Sequence, residues 1–296
     1  MKIRLINLII ISLLFTSCKK DITLDNLNGD KIGCFGHAGM GTRSLYPTNT
    51  LQSLVSCLNR GADGTEMDIQ VTKDGVLVIF HNDDLSGVTG CGGIIRDLNW
   101  NEINACRVNS FLFKNLNIIS FNEFIQNTKN PYQYIFTFDC KLTSGVGNND
   151  EYYFRFASAI ANTIEHYGFQ DNVFIENSDP EFLNLIKSMN NNLKLFLLGQ
   201  NFETDIITAT ENGFYGLSMP NNLVSATQIK EAHDKNIRVT IYGVETNKQN
   251  YDAIEKQADF IQTDNLDYVL KLFGKFNRKT RRLSELINNI DLKQSN

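Results

Sequence analysis

The chain has 296 residues, 42% of them hydrophobic, with 28 Lys and Arg against 33 Asp and Glu. That hydrophobic content supports a packed core. The net charge of -5 excludes the basic footprint by which proteins bind nucleic-acid phosphates.

Residues 1–20, MKIRLINLIIISLLFTSCKK, place Lys2 and Arg4 ahead of an apolar run from Leu5 to Phe15, with small residues before Cys18. A run this short reads as a bacterial secretory signal and not as a spanning helix. Its FTSC ending resembles a lipoprotein processing box, with Phe15 where such boxes usually have Leu. That resemblance implies a signal peptide over 1–17, lipidation of Cys18 and a polar tether over 18–31. It also implies a lipid anchor in the bacterial cell envelope, facing the periplasm or the exterior. A plain secretory signal with a coincidental cysteine is the alternative. Beyond Cys18 stand Cys34, Cys57, Cys91, Cys106 and Cys140. Their odd number excludes a complete disulfide framework, although an exported location permits a bridge. Most are expected to pack as small buried hydrophobes.

From residue 32 onward, strand and helix patterns alternate. Strands read at IGCFGH, GTEMDIQ, VLVIFH, YIFTFDCK, NVFIE, LKLFLL, FYGLSM, IRVTIYG and ADFIQTD. Helices read at TNTLQSLVSCLNRG, DEYYFRFASAIANTIEHYG, DPEFLNLIKSMN, SATQIKEAHDKN and NKQNYDAIEKQA. Repeated βα units close into a barrel or wind into an open sheet, and a single domain over 32–273 suits the barrel. The expected fold is α/β, a distorted (β/α)8 TIM barrel. Nine strand segments are one more than such a barrel needs, so the hairpin over 66–81 is the expected irregularity, with an insertion over 82–118 after it. Residues 274–296 read as a basic, then polar, tail with no chemistry.

The hairpin GADGTEMDIQVTKDGVLVIFHND (61–83) is the most informative stretch. TKDG, Thr72 to Gly75, is turn chemistry. Alternation puts Glu66, Asp68 and Gln70 on one face. Pairing around the turn is expected to set 66 opposite 81 and 68 opposite 79, gathering Glu66, Asp68 and His81 at one end. In YIFTFDCKL, alternation likewise aligns Thr137, Asp139 and Lys141. Such groups are poor core residues unless paired or bound to a metal. Three carboxylates, Glu66, Asp68 and Asp139, match the oxygen ligation that Mg²⁺ or Ca²⁺ prefers. With His37, His81 and Lys141, they suit phosphodiester cleavage: lysine and cation offset phosphate charge while imidazoles move protons.

At these residues the sequence resembles the glycerophosphodiester phosphodiesterases, over roughly 32–270. The family pattern of Glu-x-Asp, Thr-Lys-Asp-Gly and an apolar strand ending in His is matched throughout 61–81. GHAG (36–39) resembles the family's first strand end, YPTNT (46–50) the turn after it, FDCK (138–141) the third metal-ligand strand and FIQTDNLD (260–267) the closing strand. The resemblance implies an acid/base pair in His37 and His81, metal ligands in Glu66, Asp68 and Asp139, and a phosphate contact in Lys141. It implies attack by the substrate's own glycerol hydroxyl, a cyclic phosphate, and release of sn-glycerol 3-phosphate and an alcohol. Departures from the pattern are Ala38 for the usual Arg, Thr48 for Glu, Asn82 for an acidic residue, Gly87 for Arg, and Asp139 for a longer Glu. Arg43, in GMGTRS, is a candidate replacement cation. Tyr242, the aromatic of YGVE, is a candidate wall of the glycerol site.

Two alternatives stay open. One is a catalytically silent phosphodiester-binding lipoprotein; the other is a phosphodiesterase for a different lipid head group. His166 and His233 are expected at the surface or at helix C-termini, and Trp100 in packing.

Overall fold

The computed structural model describes residues 22–108, 110, 112–143 and 150–276. The signal sequence, Cys18 and positions 277–296 of the tail lie outside the described residues. In chain order the elements are β1 (Gly33–Gly36), α1 (Leu51–Arg60), β2 (Gly64–Val71), β3 (Leu77–Ile79), α2 (Trp100–Asn104), β4 (Arg107–Val108), β5 (Leu116–Asn117) and β6 (Ile119–Ser120). Then follow α3 (Phe121–Asn127), β7 (Ile135–Cys140), α4 (Asp150–Tyr167), β8 (Val173–Asn177), α5 (Pro180–Met189), β9 (Lys194–Leu198) and α6 (Phe202–Asn212). The chain closes with β10 (Gly216–Pro220), α7 (Ala226–Asp234), β11 (Arg238–Val244), α8 (Asn247–Glu255), β12 (Phe260–Thr263) and α9 (Leu266–Leu272).

β1, β2 and β7 to β12 pair in parallel around a closed ring, with β1 joining both β2 and β12. This is the expected (β/α)8 barrel. All nine expected strands form. The surplus one is β3, which turns back antiparallel on β2 and pairs onward with β6.

Local chemistry sets the helix ends. The Thr50 hydroxyl accepts from the Ser53 amide at the start of α1, and Gly61 ends it at φ 109°. Reciprocal caps open α3, α7 and α8. The helices cover outward strand residues such as Met67, Ile69, Phe138 and Ile261, all fully buried. Inside the barrel, Phe35, Phe174, Phe196 and Phe260 stack as a plug, with ring centroids 4.9 to 6.2 Å apart. Two residues further along the same strands the interior turns polar, at His37, Glu176 and Gln262. An apolar floor therefore underlies a hydrogen-bonding mouth.

Residues 22–31, expected as tether, pack on the base of the barrel instead. Ile22 and Leu24 lie against the core, and the Leu27 amide donates to the Gln257 carbonyl. Buried Asn26 donates to Asp259, which also accepts from the Val239 amide and Arg238 and pairs with His233 at 2.7 Å. The His233 side chain is thus 4% exposed, in the last turn of α7 as one of its two expected placements, whereas His166 is exposed and sits edge-on to Tyr167. Removing a buried ion's partner leaves an uncompensated charge, so Asp259→Ala is expected to cost about 3 kcal/mol or more in urea unfolding. The barrel base, and not the mouth, should lose hydrogen-exchange protection first.

The 82–118 insertion packs its own small core, including Val78, Leu85, Ile95 and Ile103, with Trp100 at its edge. A Cys91–Cys106 disulfide closes it. Cys34, Cys57 and Cys140 are buried thiols, as expected.

Candidate active site

β1 ends in GHAG. A Cβ on Gly36 would lie 1.8 Å from the Gly39 carbonyl oxygen, and Gly39, at φ 96°, presses on Ser53. Only glycine lets the chain turn this tightly. The turn delivers His37 to the mouth, where Nδ1 lies 2.9 Å from Asp264 Oδ1 and Nε2 lies 3.9 Å from Glu66 Oε2. The same Asp264 oxygen accepts from the Thr42 amide. Burial opposes an imidazolium here, but the Asp264 hydrogen bond and the carboxylates of Glu66, Asp264 and Asp68 raise His37 to about 10.

Glu66 and Asp68 face inward from β2, and β7 runs beside it with Asp139 in register with Asp68. One oxygen from each of Glu66, Asp68 and Asp139 lies within 4.8 Å of the others. Lys141 Nζ bridges Asp68 at 2.9 Å and Asp139 at 2.5 Å. Asn49 grips Asp68 twice, its amide nitrogen donating to the carboxylate and its oxygen accepting the Asp68 backbone amide. The Ala38 amide donates to Glu66 Oε2 at 2.6 Å. Glu66 Oε1 is buried without a hydrogen-bond partner.

The electrostatics are strained. Burial and then Asp68 push the Glu66 carboxyl up, against the pull of His37. Burial also raises Asp139, although Lys141 opposes it. Burial works against the Lys141 charge, but Asp139 and Asp68 outweigh it and raise its pKa. Three clustered carboxylates, two of them buried and one with an orphaned oxygen, face a single lysine and an imidazole already shared with Asp264. An all-oxygen donor set with surplus negative charge fits a hard divalent cation.

His81 reaches the mouth by a different route from the expected one. The hairpin register is Ile69 opposite Ile79 and Gln70 opposite Val78, and the Phe80 amide donates to the Asp68 carbonyl. Position 68 therefore lies opposite 80 and not 79, and 66 has no strand partner at 81. The cause is the turn: the Thr72 amide donates to the Val76 carbonyl, so the loop is Lys73, Asp74 and Gly75, with Gly75 at φ 84°. A one-residue shift reverses the faces. β3 also ends at Ile79, so His81 is an exposed bend residue and not a strand residue. What holds it is Gln70, which is 1% exposed and donates to the carbonyls of both Phe80 and Asn82. The ring Nδ1 lies 2.9 Å from Asn82 Oδ1.

Residues 37–268 match the Glycerophosphoryl diester phosphodiesterase family. The chain belongs to this family. A glycerophosphodiester phosphodiesterase of Caldanaerobacter subterraneus subsp. tengcongensis is 27% identical over 172 residues, covering 55% of this chain and 65% of the relative. Across the curated relatives it matches, the shared stretch spans between 22% and 65% of their length. Among solved structures, an Oleispira antarctica phosphodiesterase in complex with the product sn-glycerol-3-phosphate superposes with TM-score 0.71 at 17% identity, covering 82% of this chain and 96% of that one. A glycerophosphodiester phosphodiesterase from Parabacteroides distasonis gives 0.68 at 17% identity, covering 82% and 97%. These two likenesses concern the fold.

Against the family pattern, Ala38 is buried in the left-handed region at φ 46°, and Thr48 is exposed on the mouth loop. Arg43 is exposed on the loop after β1 and makes no ion pair among the described residues. Tyr242, half-buried on β11, accepts from Gln200 at 2.9 Å. Burial drives its phenol to about 12, with Glu176 and Asp139 adding to the effect against Gln200. Three residues of the site, Asn49, Asp264 and Glu176, were not singled out from sequence, and Gln70 was placed on the face of Glu66 and Asp68 without a role. Glu176 ends the otherwise apolar strand NVFIE, which was an available signal. It lies in register with Asp139, is 1% exposed, and accepts from Ser218 and Gln262 across the barrel.

Burial raises Glu176 to about 7, against those two donors. A carboxyl raised on folding adds stability below its unfolded pKa, and that contribution disappears as pH rises through the folded value. Glu176→Gln does not titrate. Between pH 4.5 and 7 the variant should therefore gain on the parent by on the order of 3 kcal/mol, then level off. Urea unfolding of both proteins in chelator checks this; a difference that is flat in pH contradicts it.

Proposed function

We propose that the protein is a divalent-cation-dependent phosphodiesterase that converts glycerophosphodiesters into sn-glycerol 3-phosphate and an alcohol. The observation that carries this reading is the trio Glu66, Asp68 and Asp139, converged within 4.8 Å with one oxygen unpartnered and flanked by Lys141 and His37. The names of the relatives and the product held by the Oleispira phosphodiesterase support the same chemistry.

Glu66, Asp68 and Asp139 would hold Mg²⁺ or Ca²⁺, which when bound would supply positive charge against the phosphate oxygens. Lys141, partly exposed beside them, contacts the phosphate, and Arg43 on the mouth loop assists. Asp264 orients His37 so that Nε2 faces the trio. His37 takes the proton of the substrate's glycerol hydroxyl as that oxygen attacks phosphorus. The bond from phosphorus to the alcohol oxygen breaks, and His81 protonates the departing oxygen. In the second half the roles reverse: His81 takes a proton from water as it attacks the cyclic phosphate, and His37 returns its proton to the glycerol oxygen. No protein nucleophile is needed, because an oriented intramolecular attack lowers the barrier by about 7–11 kcal/mol. Tyr242 walls the glycerol side.

The test is incubation of residues 19–296 with glycerophosphodiesters and Mg²⁺ or Ca²⁺, scored for glycerol 3-phosphate. Absence of that product from every diester would reject the reading. We also assign Cys18 as a lipidation site that anchors the protein in the bacterial envelope, on the FTSC ending. Cys18→Ala should move the protein from the membrane fraction to the soluble fraction.

A further inference from the structure

On the insertion side of the mouth, His81 borders a cavity of about 240 Å³. Among the described residues that line it, His81 is the only ionisable one. Thr48, Asn82 and Asn117 contribute its uncharged polar groups, and Phe80 and Val108 belong to its apolar wall. Asn49, which grips Asp68, lies in the same wall and is the link between this cavity and the carboxylate trio.

We infer that this cavity seats the departing alcohol and selects uncharged, hydroxyl-bearing alcohols over amino alcohols. The inference rests on the phosphodiesterase reading above and adds a substrate class to it. Its first support is position. The group that protonates the departing oxygen must lie within hydrogen-bond reach of it, and His81 is part of this wall.

Its second support is charge. An ammonium group entering the cavity sheds water and meets no carboxylate in the described wall. It also approaches an imidazole that must be protonated to act as the acid. Both effects disfavour a cation. A polyol replaces its water with the amides of Asn82 and Asn117 and the Thr48 hydroxyl, and its carbon skeleton lies on Phe80 and Val108. The volume, equal to about eight water molecules, suits an alcohol of glycerol size.

Two further observations agree. Thr48 and Asn82, two of the positions where the sequence replaces acidic residues of the pattern it resembles, both line this cavity. The wall is also built in advance of substrate. The Cys91–Cys106 disulfide and the bridge between Thr89 and Val108 hold the insertion segment that carries Val88 and Val108.

The test compares kcat/KM of the full mature chain for glycerophosphoglycerol, glycerophosphocholine and glycerophosphoethanolamine. Glycerophosphoglycerol should be preferred by about tenfold or more. Asn117→Asp places a carboxylate in the wall and should move that ratio toward the two amino alcohols by a similar factor. Should that variant fail to fold, Val88→Trp at the exposed rim should raise KM for glycerophosphoglycerol several-fold with little change in kcat. Equal cleavage of all three substrates, or wall variants that leave the ratio and KM unchanged, overturns the cavity assignment alone. Failure to cleave any of the three removes the phosphodiesterase reading and this inference with it.

Discussion

Asp68→Asn should abolish divalent-cation binding and lower kcat/KM by about 10³-fold or more while the barrel stays folded. The loss corresponds to several kcal/mol of charge stabilisation at the phosphate. Asp68 lies at the centre of the trio: it is in register with Asp139, bridged by Lys141 and gripped by Asn49. Asparagine keeps its shape and removes one of three mutually repelling charges, so folding in chelator should be unharmed or improved. The discriminating measurement is thermal. A cation that binds the native state raises its melting temperature by mass action. Mg²⁺ or Ca²⁺ should therefore raise the melting temperature of the parent and leave Asp68→Asn unmoved, and chelator should abolish parent activity reversibly. Full activity in excess chelator contradicts the site assignment.

His37→Ala and His81→Ala should each lower kcat by about 10²-fold or more with a smaller change in KM, because in the proposed mechanism each moves a proton in the transition state and contributes little to binding. One base and one acid together give a bell-shaped dependence of kcat on pH. The His37 ring should also respond to the cation. In cation-free protein His37 should hold its proton to about pH 10, because the carboxylates of Asp264, Glu66 and Asp68 outweigh its burial. A cation among those carboxylates opposes a second positive charge, so adding Mg²⁺ or Ca²⁺ should move the His37 titration downward and free the base form. Proton NMR of the ring, with His37→Ala to assign it, follows this directly. A His37 titration indifferent to the cation would mean that the ring and the carboxylates are not coupled as the 3.9 Å separation implies.

The departures at 38 and 48 fall in unlike environments. Ala38 is buried and gives only its amide to Glu66, whereas Thr48 faces the cavity beside His81.

Period-two alternation was enough to place Glu66, Asp68, Asp139 and Lys141 in the barrel interior, because strand geometry alone decides which side chains share a face. The alternation of strands and helices was likewise enough for a parallel α/β fold, because parallel strands need crossovers and the crossovers favour one hand, and the length of the single domain favoured a barrel over an open sheet. GHAG, TEMD and FDCK each end or lie on a strand at the same mouth, so their side chains were brought together as their spacing suggested. Tertiary structure alone decided the rest. The hairpin register depended on a turn one residue longer than the spacing suggested, and that residue moves His81 off the strand face. Asp264 reaches His37 across 227 positions of sequence, and Gln262 reaches Glu176 across 86. Contacts of that separation exist only once the ring has closed and brought β12 against β1. Residues 22–31 look like a polar linker in sequence, yet Asn26 docks there because Asp259, far along the chain, presents a buried charge in need of donors. Local pattern determines which face a residue occupies; which partner meets it there is set by closure of the barrel.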